Sequence, residues 1–310
     1  MLGEFIMHVI LIFIDGIGLG EYNRGTNPLV AYPMAFFQKL LGSPLTKEIG
    51  KVFTDRICVV PTDAVLGIEG LPQSATGQTS IFTGLNAPAL MGGHVHAFPG
   101  PRLAKLIREY GIIKKLVSKG FTATSANAYT PDYMELVERR RRRHSATTLA
   151  MLFAGQALRN LNDVDKGLAI YQDITNELLG EQGYLTTKIT PAEAGKRLVH
   201  ISKNYHFTMF EYFQTDVCGH KRNWEKAEQI VRHLDEFICS VFKNISKDTT
   251  VIITSDHGNF EDFSIKTHTQ NNVPTIILGY RCQEIASKIQ SITDITPTII
   301  ELIERDEIDD

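Results

Sequence analysis

The sequence predicts an α/β fold: a doubly wound, mostly parallel sheet with a small helical insertion as a lid. Three observations predict it. Dense apolar runs recur at residues 9–14 (VILIFI), 207–212, 251–253 and 273–278, and continuous runs of this length are the habit of strands covered on both faces. Helical patterns alternate with them at residues 102–119, 191–203 and 224–245, the order that builds crossover connections. Three of the runs lead within a few residues to an aspartate, Asp15, Asp216 or Asp256, and ligands of such sheets sit beyond the carboxyl ends of the strands.

Each element has its own reason. The 9–14 run is too short to span a bilayer, lacks a basic flank and is interrupted at once by Asp15, so it reads as a buried strand of a cytoplasmic protein. Residues 131–185 differ from the rest: they hold few strand-like runs, the basic block 139–143, and amphipathic spacing through 146–161 and 163–179. The expected organisation is therefore a discontinuous core of residues 1–130 and 186–310, with 131–185 as a helical cap. The acidic tail 304–310 is expected to fray.

Composition narrows the function classes. A chain of 310 residues that is 43% hydrophobic and 22% charged is globular, neither disordered nor fibrous. Its 32 basic and 35 acidic side chains give a net charge of −3, which offers no field for nucleic acid. Cys58, Cys218, Cys239 and Cys282 are scattered without a C-x-x-C pair. That spacing argues against a disulfide framework or a cysteine-rich zinc site and suits a reducing compartment.

The chemistry concentrates at the strand ends. Asp216 precedes His220 by four residues with Gly219 between, so a tight turn would let both reach one cation. Asp256-His257 follows the 251–253 run, and His268 follows eleven residues later. With Asp15, the inventory is three carboxylates and three imidazoles. Carboxylate and imidazole without thiolate suit manganese or zinc, magnesium less so. Six ligands exceed one tetrahedral ion, so two divalent metals are expected, a pair able to activate a nucleophile and clamp a transferring phosphoryl or sulfuryl group. The nucleophile is sought in residues 70–80, a hydroxyl-rich loop opening a helix, whose N-terminus favours an anion. Ser74 and Thr76 both fit.

These residues resemble the alkaline phosphatase superfamily, nearest its branch of cofactor-independent phosphoglycerate mutase and phosphopentomutase. The resemblance rests on Asp15-Gly16, Asp216-x-x-x-His220, Asp256-His257-Gly258-Asn259 and His268-Thr269-x-Asn271-x-Val273-Pro274. It implies that Ser74, ten residues before the glycine of Thr83-Gly84, is the nucleophile, with Thr76 second. It implies one metal on Asp216, His220 and His268, and another on Asp15, Asp256, His257 and the Ser74 oxygen. It further implies a phosphoserine intermediate, discharged to water by a phosphatase or back to substrate by a phosphomutase.

Departures shape the expected substrate. A sulfatase-like site has Pro and Arg two and four residues after the nucleophile; Thr76 and Gln78 stand there. The phosphoglycerate mutases carry His where Gln78 stands and a large inserted substrate domain with an Asp-Gly-Arg-Asp stretch, absent from this sequence. Residues 127–131 are reminiscent of phosphopentomutase, with a shorter insertion. The expectation is a two-metal phosphotransfer enzyme acting on a small phosphomonoester, with a phosphodiesterase or an inert metal-binding protein as alternatives. Neither nucleic acid nor membrane is an expected partner, and oligomeric state is left open. Gln78, Arg140 and Arg141 of the cap, and His94 are the candidate substrate contacts.

Overall fold

The computed structural model describes residues 7–308. Its strands are β1 (His8–Ile14), β2 (Val52–Phe53), β3 (Ile57–Thr62), β4 (Ala123–Ser125), β5 (Ala128–Tyr129), β6 (Arg159–Asn160), β7 (Phe207–Tyr212), β8 (Thr249–Thr254) and β9 (Val273–Gly279). Seven of them form one sheet in the order β2-β3-β9-β8-β1-β7-β4, and β5 pairs with β6 separately.

The central strand shows why the run at 9–14 is apolar throughout. Ile10, Ile12 and Ile14 enter one hydrophobic cluster, while Val9, Leu11 and Phe13 enter another on the opposite face, as the two-residue period of a strand requires. Helices Pro191–Ser202 and Trp224–Asn244 cover the first face. Helices Ser74–Thr83, Pro101–Tyr110, Ile112–Ser118 and Ile295–Ile308 cover the second. Full burial of each large apolar side chain contributes about 1.5–3 kcal/mol, which holds the carboxyl ends of β1, β7 and β8 in fixed relation.

The doubly wound α/β reading holds, with the sheet mixed. Parallel ladders join β1 to β7 and β8, and β7 to β4. On the other side β9 runs antiparallel to β8 and β3, and β2 antiparallel to β3. The reason is the connection: residues 255–272 return from β8 to β9 as irregular chain without a helix, and a return without a crossover gives an antiparallel neighbour.

The cap is less uniform than its sequence suggested. Helix Ala146–Phe153 packs into the second core cluster through Ala146, Ala150 and Met151. Helix Pro131–Glu138 buries no residue fully. A small cluster of Ala128, Val164, Ala169, Tyr171 and Leu179 forms the rest of the cap around β5 and β6. The convergence of Asp216 and His220 is also helical, an i,i+4 pair on Gln214–Lys221, where a turn at Gly219 was expected. The last helix runs through the acidic tail to Ile308, and positions 309–310 lie outside the described residues. No helix among the described residues is long and apolar enough to cross a membrane, and the four cysteines are free.

Candidate metal centre

Two clusters of side chains that could hold a metal ion gather beyond the strands, Asp15-Asp256-His257 and Asp216-His220-His268, each with donor atoms within 4.8 Å of one another. Asp15 leaves β1 and Asp256 and His257 leave its neighbour β8, so the first cluster is assembled by the sheet itself. In it, His257 Nε2 lies 3.3 Å from Asp15 Oδ1 and 3.5 Å from Asp256 Oδ2. In the second, Asp216 Oδ2 is 3.4 Å from His220 Nε2 and Asp216 Oδ1 is 3.6 Å from His268 Nε2. The clusters adjoin, because the His257 and His268 rings stack at 3.6 Å. Gly16 permits the approach: its backbone is left-handed, φ 73°, and a Cβ there would meet Asp216 Cβ at 2.9 Å. Only glycine satisfies both conditions at low cost.

The electrostatics call for cations. Burial, then the charges of Asp256 and Asp216, push the Asp15 carboxyl well above its ordinary range. Burial and Asp216 raise Asp256 to about 8. Burial and the neighbouring His268 press His257 down to about 3, and burial lowers His268. At Asp216 burial also acts upward, but the hydrogen bond with His220 and the proximity of His257 outweigh it and bring the group to about 2. That same bond to Asp216 lifts His220 to about 8.

The donor set fits divalent ions on geometry as well. His268 Nδ1 donates to the Pro72 carbonyl at 2.7 Å and His220 Nδ1 to the Lys266 carbonyl at 3.0 Å. Each bond leaves the Nε2 lone pair free. The two Nε2 atoms nevertheless face each other at 3.3 Å, an arrangement that a shared cation resolves. Asp15 Oδ1 is buried without a hydrogen-bond donor. These residues therefore suit the two-ion set expected from the sequence.

Ser74 opens the Ser74–Thr83 helix and sets its Oγ 3.0 Å from His257 Nε2. Thr76 turns away: it is fully buried, donates to the Gln73 carbonyl and accepts from Val95 N–H. Of the two hydroxyls weighed, Ser74 alone reaches the cluster. This helix is buried along its length although rich in hydroxyls, because Thr79, Ser80 and Thr83 donate to carbonyls one turn back. Gln78 Nε2 donates to Asp15 Oδ2 and Asp256 Oδ2, both at 3.3 Å.

A cavity of about 630 Å³ opens from Asp15, Ser74, Gln78 and Asp216 toward the cap. Arg140, Arg141 and His94 do not line it. Helix Pro131–Glu138 ends before the arginine run, and the chain turns through Arg140 with φ 58°. Arg142 is the one that returns, 5.3 Å above the Tyr133 ring and into the lining. His94 is held by the Ile68 carbonyl at 3.3 Å, and Ala97 and Phe98 of its loop face the cavity instead.

Three residues escaped the sequence reading. Glu261, 1% exposed, binds the ligand-bearing loops together: it accepts from the backbone N–H of Gly18 and Asn259 and from the side chains of Thr269 and Asn271. Asn259, quoted above only as part of the motif, donates to Asp216 Oδ1 at 2.6 Å. Glu211 sits on β7 facing the cavity. A carboxylate inside an apolar strand run was the available signal for Glu211, since such groups are rarely buried without a role.

Residues 172–307 match a family model described as the metalloenzyme superfamily. Among curated proteins, the chain is similar to the 2,3-bisphosphoglycerate-independent phosphoglycerate mutase of Francisella philomiragia, 30% identical over 129 residues, which are 38% of this chain and 25% of that protein. Similarity to the Wolbachia pipientis enzyme of the same name is 32% over 111 residues, 33% of this chain and 21% of the other. The matches thus span a quarter or less of those relatives' length. Among solved structures, a Pyrococcus horikoshii protein superposes with TM-score 0.57 at 13% identity, over 97% of this chain and 98% of that one. Alkaline phosphatase from the Antarctic bacterium TAB5 superposes with TM-score 0.52 at 12% identity, over 96% and 99%. Residues 172–307 are thus similar to the metalloenzyme superfamily, and the chain that carries them has an alkaline phosphatase-like fold.

Proposed function

We propose that the chain is a two-metal phosphotransfer enzyme acting on a small phosphomonoester, as a phosphatase or a phosphomutase. The observation that carries the reading is Ser74 Oγ at a helix N-terminus, 3.0 Å from His257 Nε2 and beside two carboxylate–imidazole clusters. Asp15, Asp256, His257 and Ser74 would hold one ion, and Asp216, His220 and His268 the other. Oxygen and nitrogen donors without thiolate suit manganese or zinc. When bound, two such ions supply Lewis acidity and neutralise phosphate charge.

The chain's own residues do the rest. Ser74 Oγ attacks phosphorus in line, the alcohol leaves from the opposite side, and phosphoserine forms; water or a substrate hydroxyl then takes the phosphoryl group and frees Ser74. Gln78 fixes the orientation of Asp15 and Asp256 without adding charge. The cap residues between 131 and 185 close the cavity over the alcohol part, and the discontinuous core 1–130 and 186–310 carries the ligands. Four free cysteines fit a reducing, cytoplasmic setting.

The test is hydrolysis of an activated aryl phosphate with added manganese, native protein against Ser74→Ala. Loss of a covalent nucleophile lowers kcat by several orders of magnitude. Turnover by the variant at the native rate would remove Ser74 from the mechanism and the phosphoserine with it.

A further inference from the structure

Beyond the metal ligands, the cavity contains a buried carboxyl group that the reaction above does not use. Glu211 is 7% exposed. The pairing of Glu211 with Phe13 places it beside β1, two residues short of Asp15 and on the same face. Its position is fixed from outside: Asn127 Oδ1 accepts from its N–H and Asn127 Nδ2 donates to its carbonyl, both at 2.8 Å. Among the described residues no lysine, arginine or histidine forms an ion pair with its carboxylate; the groups that act on it are the hydroxyls of Thr147 and Ser145.

A buried carboxylate without a cation is costly unless a partner arrives or a proton is kept. Burial, opposed by those two hydroxyls, lifts this group to about 7. The walls around it are aromatic. Tyr129 and Tyr133 lie 5.3 Å apart with their rings tilted by 36°, and Tyr171 also lines the space. The one cation of the lining, Arg142, is exposed and already placed over Tyr133. A carboxylate-bearing alcohol would meet Glu211 and Asp132 with no buried cation to receive it. A neutral polyol would leave Glu211 uncompensated. An ammonium group would pair with Glu211 and rest against ring faces that attract cations.

We propose that the alcohol part of the substrate carries an ammonium group bound by Glu211, so that the chain acts on the phosphoric ester of an amino alcohol. This rests on the phosphotransfer reading above and adds its substrate class.

The experiment compares phosphoethanolamine and phosphocholine with glycerol phosphate and phosphoglycerate on the manganese-loaded protein. Turnover and calorimetric binding are both measured, and an aryl phosphate serves as the phosphotransfer control. A charged hydrogen-bonded pair in a buried site predicts a preference of about tenfold or more in kcat/KM and in affinity for phosphoethanolamine, and phosphocholine, without an N–H to donate, shares it through charge and ring contacts only. In Glu211→Gln that ratio collapses, mainly through KM, and Glu211→Asp recovers part of it. Because the native protein's preference is read without any variant, the outcome does not depend on the variants folding. Aryl phosphate turnover with glycerol phosphate or phosphoglycerate used and bound as well as the amines would overturn the ammonium site and leave phosphotransfer standing. Preferential binding of the amines without turnover of any ester would support the ammonium site and sink phosphotransfer.

Discussion

Replacing Glu261 with glutamine tests whether the centre depends on a carboxylate that ligates nothing. Oε2 accepts from Gly18 N–H at 3.0 Å and Asn259 N–H at 2.7 Å, and Oε1 accepts from Asn271 Nδ2 at 2.9 Å and from the Thr269 hydroxyl. An amide nitrogen cannot face two backbone N–H donors, so it must turn toward Thr269 and Asn271, which would both have to rotate. Bonds to a charged acceptor contribute about 1.5–3 kcal/mol and neutral ones about 0.5–1.5. Losing charge across four bonds, two of them re-made, therefore costs about 3 kcal/mol. The strain falls on Asn259, two residues from His257, and on Thr269, next to His268. Loss of such supporting bonds lowers metal affinity by about 10–100-fold. Urea unfolding of the metal-free protein and calorimetric titration with manganese check the two figures. A stability loss under about 1 kcal/mol together with native manganese affinity would refute the reasoning.

Other consequences follow from the same geometry. Gly77→Ala puts a Cβ 2.8 Å from both the Cβ and the backbone oxygen of Asp256; overpacking of this kind costs about 1–3 kcal/mol, and manganese-dependent turnover should fall far more than stability. Arg142→Ala should raise KM for the ester, while Arg140→Ala, outside the cavity, should leave steady-state kinetics at the native values. The metal-free protein should lose stability as pH rises from about 6.5 to 8. In that window Asp256 (about 8), Glu211 (about 7) and His220 (about 8) retain protons in the folded state that the unfolded chain has released. Each retained proton gives a slope of about −1.4 kcal/mol per pH unit. Below about 6.5 the depressed His257 opposes this trend, since the unfolded imidazole charges first. Saturating manganese should abolish or reverse the slope, and chemical unfolding at several pH values measures it.

What the sequence by itself determined is local. Asp15, Asp216-x-x-x-His220, Asp256-His257 and His268 stand out as a proposed ligand set because most of them lie within a few residues of an apolar strand. A strand buried on both faces leaves most of its chemistry to its end. The α/β class follows from the same runs. Tertiary structure decided whatever depends on where a side chain lands after the chain has travelled. Ser74 and Thr76 lie two residues apart on one helix, and the rotation of that helix against β8 brings one to His257 and buries the other. The arginine run ends its helix early and turns at Arg140, so Arg142 reaches the cavity where Arg140 and Arg141 were expected. Helix Ala146–Phe153 was expected in the cap because its apolar spacing is that of any amphipathic helix; only the neighbours it meets place it in the core. Glu261 was silent for the same reason, and Glu211 was marked only by standing inside an apolar run, which left its role open. A carboxylate's role is set by the donors, cations and space around it, and at Glu261 those donors come from 2 to 243 residues away.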